Sequence, residues 1–200
     1  MRAVLIWCCL AVVIAVPLAV AATSPLLAWR DPVYIAAGFA GAAALAIMLL
    51  QPLLAGGVLP GLPAVRGRRV HRWTGIALVL AVILHVGGLW LTSPPDVVDA
   101  LLFTSPTPFS AWGVVAMWAL FGAALLVALR RRWRIRPQVW RLAHTGLVLV
   151  VVVGSVVHAM LIVGTMGTAT KTMLCLALVA ATLKVVIDLR AWAAIKRRRS

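Results

Sequence analysis

The sequence predicts an all-α membrane protein: a six-transmembrane-helix bundle with both termini cytoplasmic. Three observations lead to this prediction: an apolar composition, six stretches of membrane-spanning length, and basic residues confined to alternate connections. The chain has 200 residues, 64% of them hydrophobic, and its mean hydropathy is +1.08, whereas a soluble domain is nearer about half apolar. The six stretches leave no room for a soluble domain, and no glycine-rich nucleotide fingerprint follows a strand-like run. We therefore assign residues 1–200 to a single membrane domain without a flavin or nucleotide domain.

Six stretches are long and apolar enough to cross the bilayer, since a helix needs about 20 apolar residues to span roughly 30 Å of hydrocarbon. They are approximately 3–22, 33–54, 73–92, 111–129, 142–164 and 170–189. The first stretch also resembles a signal peptide, but its apolar run is long for a signal, so we interpret residues 1–23 as a retained helix. Pro52 and the glycines and prolines that follow it predict the end of the second span.

Basic residues gather in the connections after the second, fourth and sixth spans. They are Arg66, Arg68, Arg69 and Arg72; Arg130, Arg131, Arg132, Arg134, Arg136 and Arg141; and Arg190, Lys196, Arg197, Arg198 and Arg199. Alternate connections lie on one side of the membrane, and positive charge in short loops marks the cytoplasmic side. This predicts a multi-pass protein of a bacterial inner (plasma) membrane. Topology and attraction to anionic membrane lipid explain the net charge of +15, so we predict no nucleic-acid partner.

Three further groups of residues are not assigned as ligands or catalytic residues. The outer connection at 93–110 is too rich in Pro and Ser to continue a helix, yet 97–103 is apolar enough to lie on the membrane surface or cover a buried cofactor. Tryptophans at span ends are typical of aromatic belts. These are Trp29, Trp73, Trp90, Trp112, Trp133, Trp140 and Trp192. The cysteines lie in apolar spans without metal-ligand spacing, and we interpret them as small apolar residues.

The only four histidines form two pairs with the same spacing. His71 and His85 are 14 residues apart on the third span, and His144 and His158 are 14 apart on the fifth. Fourteen residues turn a helix through about 1400°, roughly 40° short of four turns, and rise about 21 Å, so each pair shares one helix face. The third and fifth spans run in the same direction. We therefore expect His71 level with His144, and His85 level with His158.

Two such two-histidine levels are typical of two stacked b-type haems. A haem iron with two axial imidazoles takes them from opposite faces, and each imidazole must be neutral with its second nitrogen hydrogen-bonded. We predict that His71 and His144 are the iron ligands of an inner haem b, and that His85 and His158 are those of an outer one.

Small and basic residues near the histidines are further candidates for the cofactor site. Gly75 lies one turn after His71, where a porphyrin against the helix needs a small side chain. Other glycines near a histidine are Gly87, Gly88, Gly146 and Gly154. Arg72 and Arg141, with Arg69, are candidates for binding the inner propionates. Near the outer level the only basic residues are Arg30 and Lys171, for which snorkelling is an equal alternative. Lys184 and Asp188, four residues apart, predict a local ion pair.

Other interpretations of the histidines remain open. Intramembrane histidines also serve in proton relays or as interhelical hydrogen-bond partners. A tetrahedral zinc site is disfavoured because the two levels are about 21 Å apart and no cysteine or carboxylate lies near either. Transport or a purely structural role therefore remains a rival from a different class. A quinol-reducible cytochrome b of another family is a second redox alternative.

At these residues the sequence resembles the ferric reductase-like transmembrane domain family, which includes yeast-type ferric reductases and NADPH oxidases. The resemblance lies in Arg-Arg-Val-His-Arg-Trp-Thr-Gly at 68–75, Val-Trp-Arg-Leu-Ala-His at 139–144, and the two outer histidines at the repeated spacing. It covers roughly residues 33–190. The chain is also similar in size to the haem-binding membrane subunit of the methionine sulfoxide reductase system. The resemblance implies a six-helix bundle with two b haems, which electrons reach from the cytoplasmic side.

The sequence thus predicts a dihaem b-type electron-transfer subunit, the membrane component of an oxidoreductase and not a complete reductase alone. Full ferric reductases and oxidases continue into a flavin and nicotinamide domain that is absent from these 200 residues. The expected donor is a cytoplasmic flavoprotein reductase or a quinol, so that any flavin or quinone comes from a partner. We expect the acceptor at the outer face, and its identity is not predicted.

Overall fold

The computed structural model describes residues 1–188, and within them the chain is helical, with no strand. The helices are α1 (Arg2–Ala22), α2 (Pro32–Ala55), α3 (Ala64–Thr92), α4 (Pro94–Leu101), α5 (Pro108–Leu129), α6 (Pro137–Leu161) and α7 (Thr168–Asp188). All except the short α4 are long and apolar enough to cross a membrane. The predicted fold class and multi-pass character are confirmed, whereas the cytoplasmic placement of the termini stays a prediction. The predicted basic cluster from Arg190 to Arg199, and Trp192, lie outside the described residues.

The largest differences between the helices and the predicted spans are the starts of α3 and α6, both near the basic end of the bundle. We use this name for the end that carries the N-terminus of α3 and the turn at 130–136. The α3 helix begins at Ala64 rather than near 73, so that the first arginine cluster lies on helical turns. Arginine is a good helix former, and a hydropathy window cannot detect a helix that extends into polar surroundings. The α6 helix likewise begins at Pro137 rather than near 142. The α2 helix continues through Pro52 and ends at Ala55, within one residue of the predicted end at 54.

The outer connection contains a short helix. The α3 helix stops at Thr92, as the Pro and Ser content predicts, but α4 then forms from Pro94 to Leu101. Proline suits the first helical position because the N–H it lacks would have no partner there. The α4 helix contacts the outer ends of α3 and α5, and the side chain of Val97 on α4 is buried. We use "outer end" for this end of the bundle.

Two antiparallel helix pairs form the main body of the bundle. The α3 helix packs along α2, and α6 packs along α5, whereas direct contact between α3 and α6 is at most marginal in the described chain. Glycines allow the close approach within each pair: a Cβ on Gly88 would lie 2.7 Å from the Ala37 side chain, and one on Gly154 would lie 3.0 Å from that of Ala116. The α7 helix packs against α1, α2 and α6.

The apolar core lies along α7, where Leu174 and Leu178 have no exposed surface. Cys175 is buried beside them, whereas Cys8 and Cys9 are exposed on α1. Many large apolar side chains of α1, α3 and α5 face outward, as expected where lipid is the solvent. The predicted ion pair at the end of α7 is confirmed, with Lys184 Nζ 2.7 Å from an Asp188 carboxylate oxygen.

Candidate functional site

The four histidines lie at two matched depths on α3 and α6. His71 follows the first residue of α3 by seven positions (64 to 71), and His144 follows the first residue of α6 by the same seven (137 to 144). His144 lies within electrostatic range of His71, and His158 lies within range of His85. The two helices therefore run parallel in the same register, and the level pairing expected from the spacing is present in the fold.

The two outer histidines are held by the same kind of hydrogen bond, one in each helix pair. His85 Nδ1 lies 2.8 Å from the Ala37 carbonyl oxygen on α2. His158 Nδ1 lies 2.8 Å from the Phe109 carbonyl oxygen on α5, and the Phe109 ring contacts the imidazole edge-on at a centroid distance of 5.8 Å. A carbonyl oxygen only accepts hydrogen bonds, so Nδ1 carries the hydrogen and donates it. In the neutral ring, Nε2 is then left with a free lone pair.

A glycine one turn after each of these carbonyls makes room for the imidazole. A Cβ on Gly41 would lie 2.8 Å from His85 Nδ1, and a Cβ on Gly113 would lie 2.7 Å from His158 Nδ1. Both distances are far inside van der Waals contact, so any larger residue would displace the ring. Sequence reasoning missed both glycines, because they lie on helices that carry no histidine. The available signal was the near-equal separation between glycine and histidine, 44 residues in one pair (41 to 85) and 45 in the other (113 to 158).

The two inner histidines, unlike the outer two, are held by different kinds of contact. His71 Nδ1 lies 3.2 Å from the Gln51 carbonyl oxygen of α2, and the Gln51 amide donates to Thr74 Oγ1 at 2.8 Å, which ties α2 to α3 at this depth. His144 Nδ1 is buried, and within the described part of the chain it has no hydrogen-bond partner. Its ring instead stacks on Trp140, with centroids 5.3 Å apart and planes 7° from parallel. Trp140, interpreted from the sequence as part of an aromatic belt, thus contacts a predicted ligand.

The glycines predicted from the sequence separate into two groups. Gly88 and Gly154 pack α3 on α2 and α6 on α5, so their contacts are between helices. Among the described residues, nothing lies within 4 Å of a Cβ added to Gly87 or Gly146, and a Cβ added to Gly75 would meet the Gln51 amide oxygen at 3.7 Å. The space beside Gly75 suits a large planar group, and its role in binding one stays a prediction.

The predicted basic residues lie near both levels. Arg72 and Arg141 are exposed, one position after His71 and three before His144, at the basic end. Lys171 is buried, and its amine donates to the Ile162 carbonyl oxygen at 2.5 Å, beyond the last residue of α6. A cation at a helix C-terminus is favourable by itself, so Lys171 already has a local structural partner.

Arg30, the other basic residue near the outer level, is exposed, with its guanidinium 5.2 Å from the centre of the Tyr34 ring. It therefore also has a local partner on α2.

This arrangement fits two bis-imidazole sites better than a cluster of many ligands. Within residues 1–188, no three His, Cys, Asp or Glu side chains converge on one point. Each level instead offers two histidines on separate helices that hardly touch. Three of the four rings have Nδ1 engaged by a backbone carbonyl, the outer-shell contact that fixes the tautomer and orientation of a metal-binding histidine. The residues present therefore fit a planar group held between α3 and α6.

Comparison with known proteins identifies one family. Residues 37–155 match the family described as Ferric reductase like transmembrane component. Comparison with curated proteins and with solved structures gave no match. The family match covers more than half of the chain and extends from α2 into α6, including three of the four histidines. A membrane electron-transfer component is therefore indicated, and the chain belongs to the ferric reductase like transmembrane component family.

Proposed function

We propose that the chain is a dihaem b-type electron-transfer subunit of a bacterial inner membrane. It would pass electrons from a cytoplasmic flavoprotein reductase or a quinol at the basic end to an acceptor at the outer end. His71 and His144 would hold the inner haem b, and His85 and His158 the outer one. Each haem iron supplies a one-electron couple when bound, whereas the chain supplies ligands, orientation and burial.

One observation carries this proposal: the outer histidines are held by duplicate contacts. In each case a backbone carbonyl accepts from Nδ1 at 2.8 Å, and a glycine on the next turn leaves room for the ring. Burying four imidazoles in a membrane helix bundle is costly, and a purely structural hydrogen bond needs no matched depth. Orientation of Nε2 toward a shared metal-bearing group explains both the duplication and the pairing.

The two ends of the bundle suit different partners. Arg131, Arg132 and Arg134 are exposed in the turn between α5 and α6, close in sequence to the inner histidine of α6. Such a positive surface suits the docking of an acidic flavoprotein domain. At the outer end, α4 bridges α3 and α5, where it would limit the access of water and acceptors.

Transmembrane electron transfer is the direct test of this proposal. Purified protein is reconstituted into vesicles that hold trapped dithionite, and ferricyanide is added outside. Because neither ion crosses lipid readily, we expect ferricyanide to be reduced much faster by protein-containing vesicles than by empty ones. The His85→Ala variant removes one outer ligand and should return the rate to that of empty vesicles. Gly38→Ala, on α2 with nothing within 4 Å of the added Cβ, is the matched control and should behave as the wild type.

Equal rates in the presence and absence of wild-type protein that contains haem would contradict transmembrane electron transfer. Wild-type protein without haem, expressed with ample haem supply, would instead favour transport or a structural role. A wild-type rate in His85→Ala would remove the outer pair from the electron pathway.

A further inference from the structure

His144 differs from the other three histidines in how its ring is fixed. His71, His85 and His158 each have Nδ1 within hydrogen-bond distance of a backbone carbonyl, at 3.2, 2.8 and 2.8 Å. His144 Nδ1 is buried and has no hydrogen-bond partner among the residues that the structure describes. A buried donor without an acceptor costs free energy, and an imidazole without an outer-shell contact is free to rotate about its side-chain bonds. Another contact must therefore hold this ring.

Within residues 1–188, the aromatic ring that contacts the His144 imidazole is that of Trp140. The two side chains lie one turn apart on α6, so they share a helix face. Their planes are 7° from parallel, with centroids 5.3 Å apart. The indole Nε1 is also buried, and none of residues 1–188 accepts a hydrogen bond from it.

Arg130 lies over the indole of Trp140. Its guanidinium carbon is 4.3 Å from the ring centre, within the range of a cation–π interaction. Arg130 is the residue that caps α5, whereas Trp140 is in the first turns of α6. The contact therefore ties the stacked pair to the adjacent helix. Lysine would not reproduce it well, because only a planar guanidinium stacks on an aromatic face.

We propose that Trp140, held by Arg130, is the positioning residue that orients the His144 imidazole toward the inner haem, in place of the carbonyl hydrogen bond used by the other three ligands. This rests on the proposed function. Stacking fixes the plane of the ring and leaves Nδ1–H without an acceptor, so Nε2 of His144 is a weaker electron donor than Nε2 of the outer ligands. The two ligands of the inner site thus differ in how they are oriented: His71 by a carbonyl hydrogen bond and His144 by stacking on Trp140.

The test compares substitutions of Trp140 in the full-length protein. Trp140→Leu removes the aromatic face and keeps an apolar side chain, whereas Trp140→Phe keeps a stacking ring and removes the N–H. Trp118→Leu is the control, since Trp118 lies on α5 against Phe121 and is largely exposed. The readouts are the low-spin electron paramagnetic resonance signal of each haem and the rate of haem transfer to apomyoglobin. The inner signal is identified by its loss in His71→Ala.

In Trp140→Leu we expect the inner signal to shift or disappear and inner-haem loss to accelerate about ten-fold or more, the usual effect of removing an outer-shell contact. The outer signal should stay unchanged. Trp140→Phe should stay within about two-fold of the wild-type rate, and Arg130→Gln should shift the inner signal in the same direction as Trp140→Leu but by less.

Three results would overturn the inference. They are an unchanged inner haem in Trp140→Leu, equal loss of both haems in that variant, and a Trp140→Phe variant that behaves like Trp140→Leu. If the wild-type protein binds no haem, the proposed function itself fails. That outcome is distinguishable, because in the first three cases the wild type carries both signals.

Discussion

Gly113→Ala should abolish binding of the proposed outer haem while leaving the fold intact. The added Cβ would lie 2.7 Å from His158 Nδ1, whereas ordinary contact begins at 3.4 Å, so the imidazole must move by about 0.7 Å (3.4 − 2.7). A shift of that size along the hydrogen bond would lengthen the 2.8 Å contact to the Phe109 carbonyl to about 3.5 Å, beyond the usual range for an N–H···O bond. Loss of such an outer-shell partner typically costs about 10–100-fold in affinity.

The helix that carries Gly113 should not suffer from this change. Alanine is a better helix former than glycine by about 1 kcal/mol, so any loss of haem would come from the displaced ring and not from unfolding of α5. Gly122→Ala, on the same helix, is the control because its added Cβ would meet only the Leu147 side chain at an ordinary 3.8 Å. It tests the effect of the same substitution without the clash.

The assay is haem content per purified chain, with the rate of haem transfer to apomyoglobin. We expect about one haem per chain in Gly113→Ala and about two in Gly122→Ala, with the remaining haem of Gly113→Ala at the inner site. Gly41→Ala should behave like Gly113→Ala, since its Cβ would lie 2.8 Å from His85 Nδ1. If Gly113→Ala and Gly122→Ala retain haem equally, with transfer rates within about two-fold, the reasoning about ring placement is refuted.

Other predictions concern stability and topology. Lys171→Met leaves the Ile162 carbonyl without its buried donor and should lower the free energy of unfolding in detergent by about 1–3 kcal/mol with haem content unchanged; loss of the outer haem would instead assign Lys171 to that cofactor. Lys184→Gln removes a solvent-exposed ion pair and should change stability by less than about 0.5 kcal/mol, so a larger effect in the same unfolding assay would contradict the assignment. In a cysteine-free background, a membrane-impermeant maleimide should label Ser105→Cys but not Arg132→Cys in intact cells, and the reverse labelling would invert the proposed topology.

Hydropathy predicted the number of spanning helices, because it depends only on local composition. Equal histidine spacing on two helices of the same direction predicted the level pairing. The limits of that approach appear at the basic end. The α3 helix starts nine residues before the predicted span (64 against 73), since arginines extend a helix without raising its hydropathy. The α6 helix likewise starts five residues before the predicted span (137 against 142), since its first turn also carries polar residues that lower the hydropathy.

The contacts that orient the histidines could not be predicted from one sequence. Ala37 and Phe109 act through backbone carbonyls, and any residue type offers such an oxygen. Gly41 and Gly113 resemble the many small residues that membrane helices use for packing, and only the fold shows which of them face an imidazole. The contact between Trp140 and His144 was missed for a similar reason, since a tryptophan near a span end is more often an interfacial anchor.

The most direct test of the dihaem assignment is a dithionite-reduced minus oxidised visible spectrum of the purified protein, with a haem-per-chain assay, beside His85→Ala and His144→Ala. The assignment predicts a b-type difference spectrum with about two haems per wild-type chain, and each variant should lose about one. Protein expressed with ample haem supply that shows no haem spectrum, or variants that keep the wild-type haem content, would contradict it.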